Sequence, residues 1–463
     1  MYKKNDIIQL EISTLGSEGE GIGKIDGFPF FVRGAVPGDV IEAGVTKVRK
    51  NMAFARLIRI IMSSNDRVEP TCQYFGKCGG CQLMNMNYGA QLGYKEEKVK
   101  NDLIRIGGID KDTVEKAAQA IMAAAETLHY RNKEQYPFGT DKDGNTICGF
   151  YAYHSHRIID QTDCLLGNKE NILILEKIKE WMKVSGVTAY DETTGRGLVR
   201  HVMIRKGNIT NELMVCIVIN SKKLKAAELL VDMLKDIEGM TSISYSSNTE
   251  NTNVIMGESS NVIWGSDHID TVIEGNDIQI TYALSPLSFY QVNSKQTERL
   301  YSKALEYADL KGRETVWDLY CGIGTISLFL AAKAAKVYGV EIVPQAIENA
   351  KNNARNNNIE NAEFICGAAE EILPAFYRKN GQSPDVVVVD PPRKGCDKIC
   401  LDTIINAAPR RIVYVSCDPA TLARDIKYLR ENGYELKAYT PCDMFPNSYH
   451  VETVCLLSRK DPV

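Results

Sequence analysis

The stretch TVWDLYCGIGT, residues 315–325, combines an apolar strand pattern, a glycine turn and the start of a helical pattern. The spacing predicts a strand over 315–320 and a helix over 326–335. The same alternation continues through predicted strands at 336–341, 362–366 and 385–389 and predicted helices at 344–357 and 368–377. Alternation of this kind builds a doubly wound parallel sheet with helices on both faces. We therefore predict a Rossmann-like α/β domain over residues 284–463.

The glycine turn and two acidic residues indicate a cofactor site in this domain. The turn lets a ligand approach the backbone closely, and Glu341, at the end of the second strand, is placed for ribose hydroxyls. The third glycine of the dinucleotide-binding fingerprint is missing, because no glycine stands three residues after Gly324. With the Asp390-Pro391-Pro392 motif at the end of a later strand, the pattern favours S-adenosylmethionine over a phosphate or nicotinamide ligand.

Cys417 follows the apolar run 411–415 and precedes Pro419, a residue suited to a first helical turn. It is therefore predicted at the carboxyl end of a strand, the edge where open α/β sheets bind ligands. A thiol near a helix N-terminus can have a lowered pKa and act as a nucleophile. For one cysteine among thirteen, a buried apolar side chain is the commoner role.

A cysteine and two carboxylates are the groups that methylation of uracil C5 requires. Addition of a thiolate to C6 makes C5 able to attack a methyl sulfonium, and a base must then remove the C5 proton. Cys417 can supply the thiolate, Asp390 the carboxylate that reads the base edge, and Glu452 the base. An ordinary strand-edge glutamate is an equally simple interpretation of Glu452.

The first 62 residues read as short strands at regular spacing, which predicts a small β-barrel. Residues 43–65 contain five basic residues and no acidic one: Lys47, Arg49, Lys50, Arg56 and Arg59. This strip fits either contacts with nucleic-acid phosphates or a solvated pair of strands.

Cys72, Cys78 and Cys81 lie within ten residues, among glycines that allow the chain to fold tightly round an ion. Such a set needs a fourth ligand, for which Cys148 and Cys164 are the nearest candidates. Four thiolates suit zinc or an iron–sulfur cluster. The absence of two paired Cys-x-x-Cys knuckles favours the cluster.

The bulk composition is that of an ordinary globular chain of 463 residues with a net charge of −4. No run of about 20 apolar residues is present, so we expect no membrane partner. The thirteen cysteines, an odd number, favour thiols or metal ligands over a disulfide framework. We expect a cytoplasmic location.

Seven motifs then occur in order along nearly the whole chain. They are Cys72-x5-Cys78-Gly-Gly-Cys81 with Cys164; Phe289-Tyr290-Gln291-Val292-Asn293; Asp318-Leu-Tyr320-Cys-Gly322-x-Gly324; Glu341; Asp390-Pro-Pro-Arg393; Ser416-Cys417-Asp-Pro-Ala-Thr-Leu-Ala-Arg-Asp425; and His450-Val-Glu452-Thr453. A chain with these motifs resembles the TRAM-containing, iron–sulfur RNA uracil-C5 methyltransferases that modify 23S rRNA.

The resemblance implies three domains. These are an OB-like TRAM barrel over residues 1–62, a central α+β domain bearing the cluster over 63–283, and a methyltransferase domain over 284–463. The segment near 90–125 is expected to pack with the methyltransferase domain, which would make the central domain discontinuous.

The resemblance also implies a role for each motif residue. Cys417 would be the nucleophile and Glu452 the base. Phe289 would lie beside a uridine flipped out of a single-stranded or loop region of 23S rRNA, and Asp390 would also touch the uracil. The implied cofactors are S-adenosylmethionine, at Gln291, Tyr320, Thr325, Glu341 and Asp390, and a [4Fe–4S] cluster on Cys72, Cys78, Cys81 and Cys164. We expect a monomer.

Two positions depart from the family pattern. Thr325 stands where asparagine is common, and Gly367-Ala368-Ala369 lacks the acid that often meets the adenine.

Three other functions remain open. One is the same chemistry on a tRNA uridine, and another is a non-catalytic RNA-binding assembly factor. The third is cytosine-C5 methylation, suggested by Pro441-Cys442. In those enzymes, however, Pro-Cys occupies the place of Asp390-Pro391-Pro392.

Overall fold

The computed structural model describes residues 2–381 and 383–460, and the side chains of Tyr377, Lys379 and Asn380 lie outside that description. Residues 461–463, the end of the predicted 284–463 domain, are also outside it. The chain forms two compact units. The first comprises Met1–Lys98, Phe150–Ile159 and Phe445–Val451, and the second Val99–Gly149, Asp160–Met444 and Glu452–Val463. Within the described ranges, every helix is too short or too polar to cross a membrane.

The first unit contains a closed five-stranded barrel with strand order β1-β2-β3-β5-β4, which confirms the predicted barrel. Its strands are β1 (Ile7–Leu15), β2 (Gly21–Ile25), β3 (Phe28–Arg33), β4 (Val40–Val48) and β5 (Ala53–Met62). Alternate residues of β1, including Ile8, Leu10 and Ile12, point into the barrel core. The five predicted basic residues are all exposed on β4, β5 and the turn between them.

Two helices follow the barrel, α1 (Tyr88–Arg105) and α2 (Lys111–Ala117). Asp110 caps α2, because its carboxylate accepts the Thr113 N–H at 2.9 Å.

A mixed seven-stranded sheet has the strand order β12-β11-β10-β9-β6-β7-β8. Its elements are β6 (Lys133–Thr140), β7 (Thr146–Tyr151), β8 (Ile158–Asp160), α3 (Glu170–Ser185), β9 (Val199–Lys206), β10 (Leu213–Ile219), α4 (Ala227–Leu234), β11 (Met240–Ser247) and β12 (Ser260–Gly265). A separate hairpin, β13 (Ile269–Gly275) and β14 (Ile278–Leu284), leads to the last part of the chain.

A second seven-stranded sheet has the order β17-β16-β15-β18-β19-β21-β20. Its elements are α5 (Ser294–Ala308), β15 (Thr315–Leu319), α6 (Thr325–Ala331), β16 (Lys336–Glu341), α7 (Pro344–Asn356), β17 (Ala362–Cys366), α8 (Ala369–Asn380), β18 (Val386–Val389), α9 (Lys398–Ala407), β19 (Arg411–Ser416), α10 (Pro419–Glu431), β20 (Tyr434–Cys442) and β21 (Glu452–Arg459). This is the predicted methyltransferase-type fold.

Five strands of this sheet, β15 to β19, run parallel, and their central members are buried on both faces. All four valines of β18 are buried, as expected for a strand covered on each side by helices. The parallel arrangement brings the carboxyl ends of β15, β16, β18 and β19 to one edge. β21 enters antiparallel between β19 and β20, so its first residue lies at that same edge.

The segment after α2 pairs with this sheet. Ala118 and Met122 form parallel bridges with Tyr439 and Cys442 of β20. These contacts lie within the second unit and connect residues 118–122 to the methyltransferase sheet.

The helices and strands of this sheet lie close to their predicted positions, but the predicted end of helix α6 was wrong. Helix α6 ends at Ala331 rather than at 335, because the chain tightens so that Lys333 and Ala334 both donate to the Leu330 carbonyl. Ala335 then pairs with Glu314 as the chain enters β16.

Candidate active site

The turn between β15 and α6 is a glycine turn in left-handed conformations. Tyr320, Gly322 and Gly324 have φ values of 67°, 54° and 84°. The Tyr320 and Cys321 N–H groups donate to the Val340 carbonyl at 2.9 and 3.1 Å, which holds the turn against β16. A Cβ built on Gly322 meets no described atom within 4 Å, so the backbone there faces open space. A ligand can therefore approach this turn closely.

Glu341 lies beside that turn at the end of β16. One carboxylate oxygen accepts the Gly322 N–H at 3.2 Å and the other accepts the Val343 N–H at 3.0 Å. Each oxygen has further acceptor capacity for hydroxyl donors. An open glycine turn with a fixed carboxylate beside it fits the adenosine moiety of S-adenosylmethionine.

Asp318, the first residue of the glycine-turn motif, has a buried carboxyl group to which the sequence assigned no role. Ser327 donates to one of its oxygens, and the other has no hydrogen-bond partner among the described residues. Burial raises the pKa of Asp318 to about 7. A buried acceptor with spare capacity next to the glycine turn also fits a polar or cationic ligand.

Thr325 begins α6 and is held by two buried tyrosines. Tyr301 donates its hydroxyl to Thr325 Oγ1 at 3.1 Å, and Tyr282 donates to the Thr325 carbonyl at 2.8 Å. These contacts fix the first turn of α6, and the Thr325 hydroxyl keeps its own proton to donate. Residues 367–369 include no acid, and the Gly367 N–H donates to the Glu341 carbonyl at 3.0 Å.

Gln291 and Phe289 lie on the segment before α5 but in contrasting environments. Gln291 is buried, and its carbonyl accepts the side-chain amide of Asn132 at 2.9 Å. Phe289 is 71% exposed, so its ring is available for stacking.

Arg205 on β9 is a residue that sequence reasoning missed. It is buried, and its guanidinium donates to the carbonyls of Ser285 and Ser288 at 3.1 and 2.7 Å, just before Phe289. Burial lowers the pKa of Arg205 to about 10. No local motif marks it, because its partners are backbone atoms about 80 residues away in the chain.

Cys417, Asp390 and Glu452 meet at the carboxyl edge of the sheet. Asp390 follows β18 and Cys417 follows β19. Ser416 pairs with Thr453 in antiparallel register, so Cys417 and Glu452 are the next residues along the two strands. The predicted nucleophile, base and base-reading acid therefore belong to three neighbouring strands.

The three groups share one electrostatic environment. Burial, together with the charge of Asp390, raises the pKa of Glu452 to about 8, and Arg393 acts in the opposite direction. Glu452 Oε2 has no hydrogen-bond partner in the described part of the chain. Burial also raises the pKa of Asp390 to about 7. Each of these two carboxyl groups can therefore gain or lose a proton near neutral pH.

The environment of Cys417 overturns the expectation of a lowered thiol pKa. Burial raises the pKa of Cys417 to about 12, and the carboxyls of Glu452 and Asp390 add to the increase. Arg393 acts in the opposite direction. The helix N-terminus that follows is occupied by Asp418, whose carboxylate accepts the N–H groups of Ala420 and Thr421 at 3.0 Å.

The predicted [4Fe–4S] site is not confirmed. Across residues 2–381 and 383–460, no group of three or more His, Cys, Asp or Glu side chains is arranged to hold a metal ion. Cys78 accepts the Gly80 N–H at 3.3 Å and lies near Cys72, while Cys164 contacts the buried carboxyl of Glu134. The donors as placed do not fit a cluster, so no step below depends on one.

Comparison with known families supports the fold and the chemistry together. The family model described as tRNA (Uracil-5-)-methyltransferase matches residues 244–460, and the TRAM domain model matches residues 3–58. The first match contains every predicted catalytic and S-adenosylmethionine-binding residue, and the second covers most of the barrel.

Similar proteins and a similar structure cover nearly the whole chain. An RNA methyltransferase of Clostridium tetani is 50% identical over 457 residues, which is 98% of this chain and 97% of that protein. One from Halalkalibacterium halodurans is 46% identical over 460 residues, 99% of this chain and 98% of that protein.

The crystal structure of Pyrococcus abyssi tRNA (uracil-54, C5)-methyltransferase in complex with S-adenosyl-L-homocysteine is 28% identical. It covers 97% of this chain and 99% of its own, with a TM-score of 0.77. The chain therefore belongs to the family of RNA uracil-5 methyltransferases that carry an N-terminal TRAM domain.

Proposed function

We propose that this protein methylates C5 of a specific uridine in 23S rRNA through a covalent intermediate on Cys417. The observation that carries the mechanism is the meeting of Cys417, Asp390 and Glu452 at the carboxyl edge of the sheet. The open glycine turn beside Glu341 lies at the same edge and supplies the cofactor site.

The Cys417 thiol first loses its proton to solvent, and the thiolate then adds to C6 of the uracil, which places an electron pair on the C4–C5 enolate. Bound S-adenosylmethionine supplies the methyl group that C5 attacks. Glu452 then removes the C5 proton, the electron pair re-forms the C5–C6 double bond, and the C6–S bond breaks to release the Cys417 thiolate. A base whose pKa is about 8 is well matched to proton removal at neutral pH.

Asp390 is suited to reading the uracil edge in either protonation state. As a carboxylate it accepts the uracil N3–H, and as the acid it donates to O4. A pKa of about 7 keeps both forms accessible. Phe289, exposed beside the buried Gln291, offers a ring on which a flipped base can stack.

The RNA substrate is assigned by the resemblance to the 23S rRNA enzymes and by the basic strip on the barrel. The same chemistry on tRNA is the second candidate, since the P. abyssi structure is that of a tRNA (uracil-54, C5)-methyltransferase. Mass-spectrometric mapping of 5-methyluridine in rRNA and tRNA, with and without the gene, separates the two. We expect loss of the modification from 23S rRNA; loss from tRNA alone would move the assignment to tRNA.

The covalent mechanism is tested with RNA that carries 5-fluorouridine at the target position. Because fluorine at C5 cannot leave as a proton, we expect methylated RNA to stay attached to Cys417 in the presence of S-adenosylmethionine. The Cys417→Ala variant should form no adduct, while Cys216→Ala, a buried strand cysteine of the other sheet, should react normally. Adduct formation by Cys417→Ala would overturn the assignment of the nucleophile.

Glu452→Gln provides the second arm of that test. Without the base, the methylated adduct on ordinary uridine should accumulate, and product release should slow by about 100- to 10,000-fold. Turnover at the wild-type rate would exclude Glu452 as the base.

A further inference from the structure

The loop that follows the Asp390-Pro391-Pro392 motif is tied to the helix that follows Cys417. Thr421 donates its hydroxyl to the Arg393 carbonyl at 3.1 Å. Arg424 Nη2 donates to the carbonyls of Lys394 and Cys396 at 2.9 and 3.1 Å. Three hydrogen bonds from two residues of the helix therefore connect the segment after Cys417 to the loop after Asp390.

Asp425 is the buried centre of this connection. Its side chain is 1% exposed, and Oδ2 accepts the Cys396 N–H at 2.9 Å and the Tyr414 hydroxyl at 2.7 Å. Oδ1 accepts the guanidinium of Arg424, with the closest nitrogen at 2.7 Å. One carboxylate thus links strand β19, helix α10 and the loop after β18.

The packing round Asp425 leaves the loop no room to move inward. Gly395 has a φ of 74°, and a Cβ built there would lie 2.5 Å from Asp425 Oδ2 and 2.6 Å from Arg424 Nη2. The loop backbone therefore rests directly on the ion pair. Burial also makes each bond to the carboxylate stronger than it would be in water.

We propose that Asp425, together with Arg424, is a positioning residue that sets Asp390 and Arg393 at their working distance from Cys417. Neither residue reaches the reacting atoms in this arrangement. Each acts through the loop, whose Arg393 is the one cation that favours the Cys417 thiolate among the charges acting on it. The inference rests on the covalent mechanism proposed above.

The Asp425→Asn variant tests this role, since asparagine keeps the volume and one acceptor but loses the charge that holds Arg424. We expect kcat to fall by about 10- to 100-fold, as a displacement of about 1 Å would produce. The KM for S-adenosylmethionine should change by a smaller factor than kcat, because the glycine turn and Glu341, at the ends of β15 and β16, lie outside the loop that Asp425 holds. Loss of folding would instead lower cofactor affinity and the melting temperature together.

The pH dependence of 5-fluorouridine adduct formation gives a readout that a merely structural role would leave unchanged. With Arg393 displaced, less positive charge opposes the raised pKa of Cys417, so the rate of Asp425→Asn should recover toward wild type as the pH rises. The control is Lys427→Ala, an exposed residue on the same helix, which should match wild type throughout.

If Asp425→Asn fails to fold, Arg424→Lys tests the positioning role instead. The Arg424 side chain is 52% exposed, so we expect the protein to fold with lysine in its place. Lysine keeps the charge but cannot bond two carbonyls and a carboxylate at once, so we expect the same loss in kcat. Wild-type rates and pH profiles in Arg424→Lys, or in folded Asp425→Asn, would overturn the positioning role. Failure of the wild-type protein to form any adduct would instead overturn the proposed mechanism.

Discussion

At the scale of single residues, Cys417 lies near three acidic groups, Glu452, Asp390 and Asp418, and one basic group, Arg393. The acidic groups raise the pKa of the Cys417 thiol, and the Arg393 guanidinium lowers it. The Cys417 thiol is therefore mostly protonated in the free protein at neutral pH. A protonated thiol reacts slowly with oxidants and alkylating agents.

Glu452 should make the stability of the protein depend on pH. Its pKa is 4.5 in the reference state and about 8 when folded, because burial disfavours the charged form. The folded state therefore keeps a proton that the unfolded state has lost, and stability falls as the pH rises from about 4.5 to about 8. The Glu452→Gln variant escapes this loss, so its melting temperature should exceed that of wild type by more at pH 9 than at pH 5.

The matched control for this measurement is Glu431→Gln, an exposed glutamate at the end of α10. It should show no pH-dependent difference from wild type. A constant difference between Glu452→Gln and wild type across the pH range would contradict the raised pKa.

At the scale of elements, the glycine turn before α6 depends on Gly324. Its φ is 84°, and a Cβ would lie 2.9 Å from the ring of Phe364 and 3.2 Å from Ala350. Gly324→Ala should therefore lose about 1–2 kcal/mol for the left-handed backbone, with a further loss for the contact. The displaced turn should also bind S-adenosylmethionine about tenfold or more weakly in calorimetry.

The Gly433→Ala variant measures the cost of the left-handed backbone without the steric contact that a Cβ at Gly324 would make. Gly433 has a φ of 96°, and its Cβ would meet no described atom within 4 Å. This variant should show the left-handed penalty alone and wild-type cofactor affinity. Equal cofactor affinity in Gly324→Ala would show that the turn does not shape the binding site.

Local pattern predicted the elements of the catalytic sheet because each strand and turn carries its own signal. The valines of β18 and the glycines at 322 and 324 can be read without knowing what lies beside them. Arg205 and the burial round Cys417 could not be read, since they arise from contacts between segments far apart in the chain. The pKa of Cys417 depends on burial and on charges from neighbouring strands, which the residues next to it in the sequence do not reveal.

The cysteine loop is where sequence pattern and structure disagree. The family resemblance implies a [4Fe–4S] cluster held by Cys72, Cys78, Cys81 and Cys164, while the described residues contain no group arranged to hold a metal ion. Iron and acid-labile sulfide analysis of protein purified without oxygen decides between them.

At the scale of the whole molecule, an RNA-binding protein with a net charge of −4 must concentrate its basic residues locally. The barrel does this on β4 and β5, where the predicted strip is exposed. Arg56→Ala should weaken RNA binding and reduce the slope of log affinity against log salt by about 1, as loss of one phosphate contact does.

Arg59→Ala serves as the comparison, because the Arg59 guanidinium is already bonded to Glu42 at 2.9 Å. We expect a smaller change in the salt slope for this variant. Equal slopes for wild type and Arg56→Ala would show that the strip faces solvent rather than RNA.

The order in which the sheet is built has a consequence for synthesis of the protein. β21 follows β20 in the chain but lies between β19 and β20 in the sheet, and it carries Glu452. A growing chain therefore contains Cys417 before Glu452, the proposed base, has been made. Until β21 is inserted, β20 has no partner on that side, so the sheet edge around Cys417 is complete only after the last strand has been synthesised.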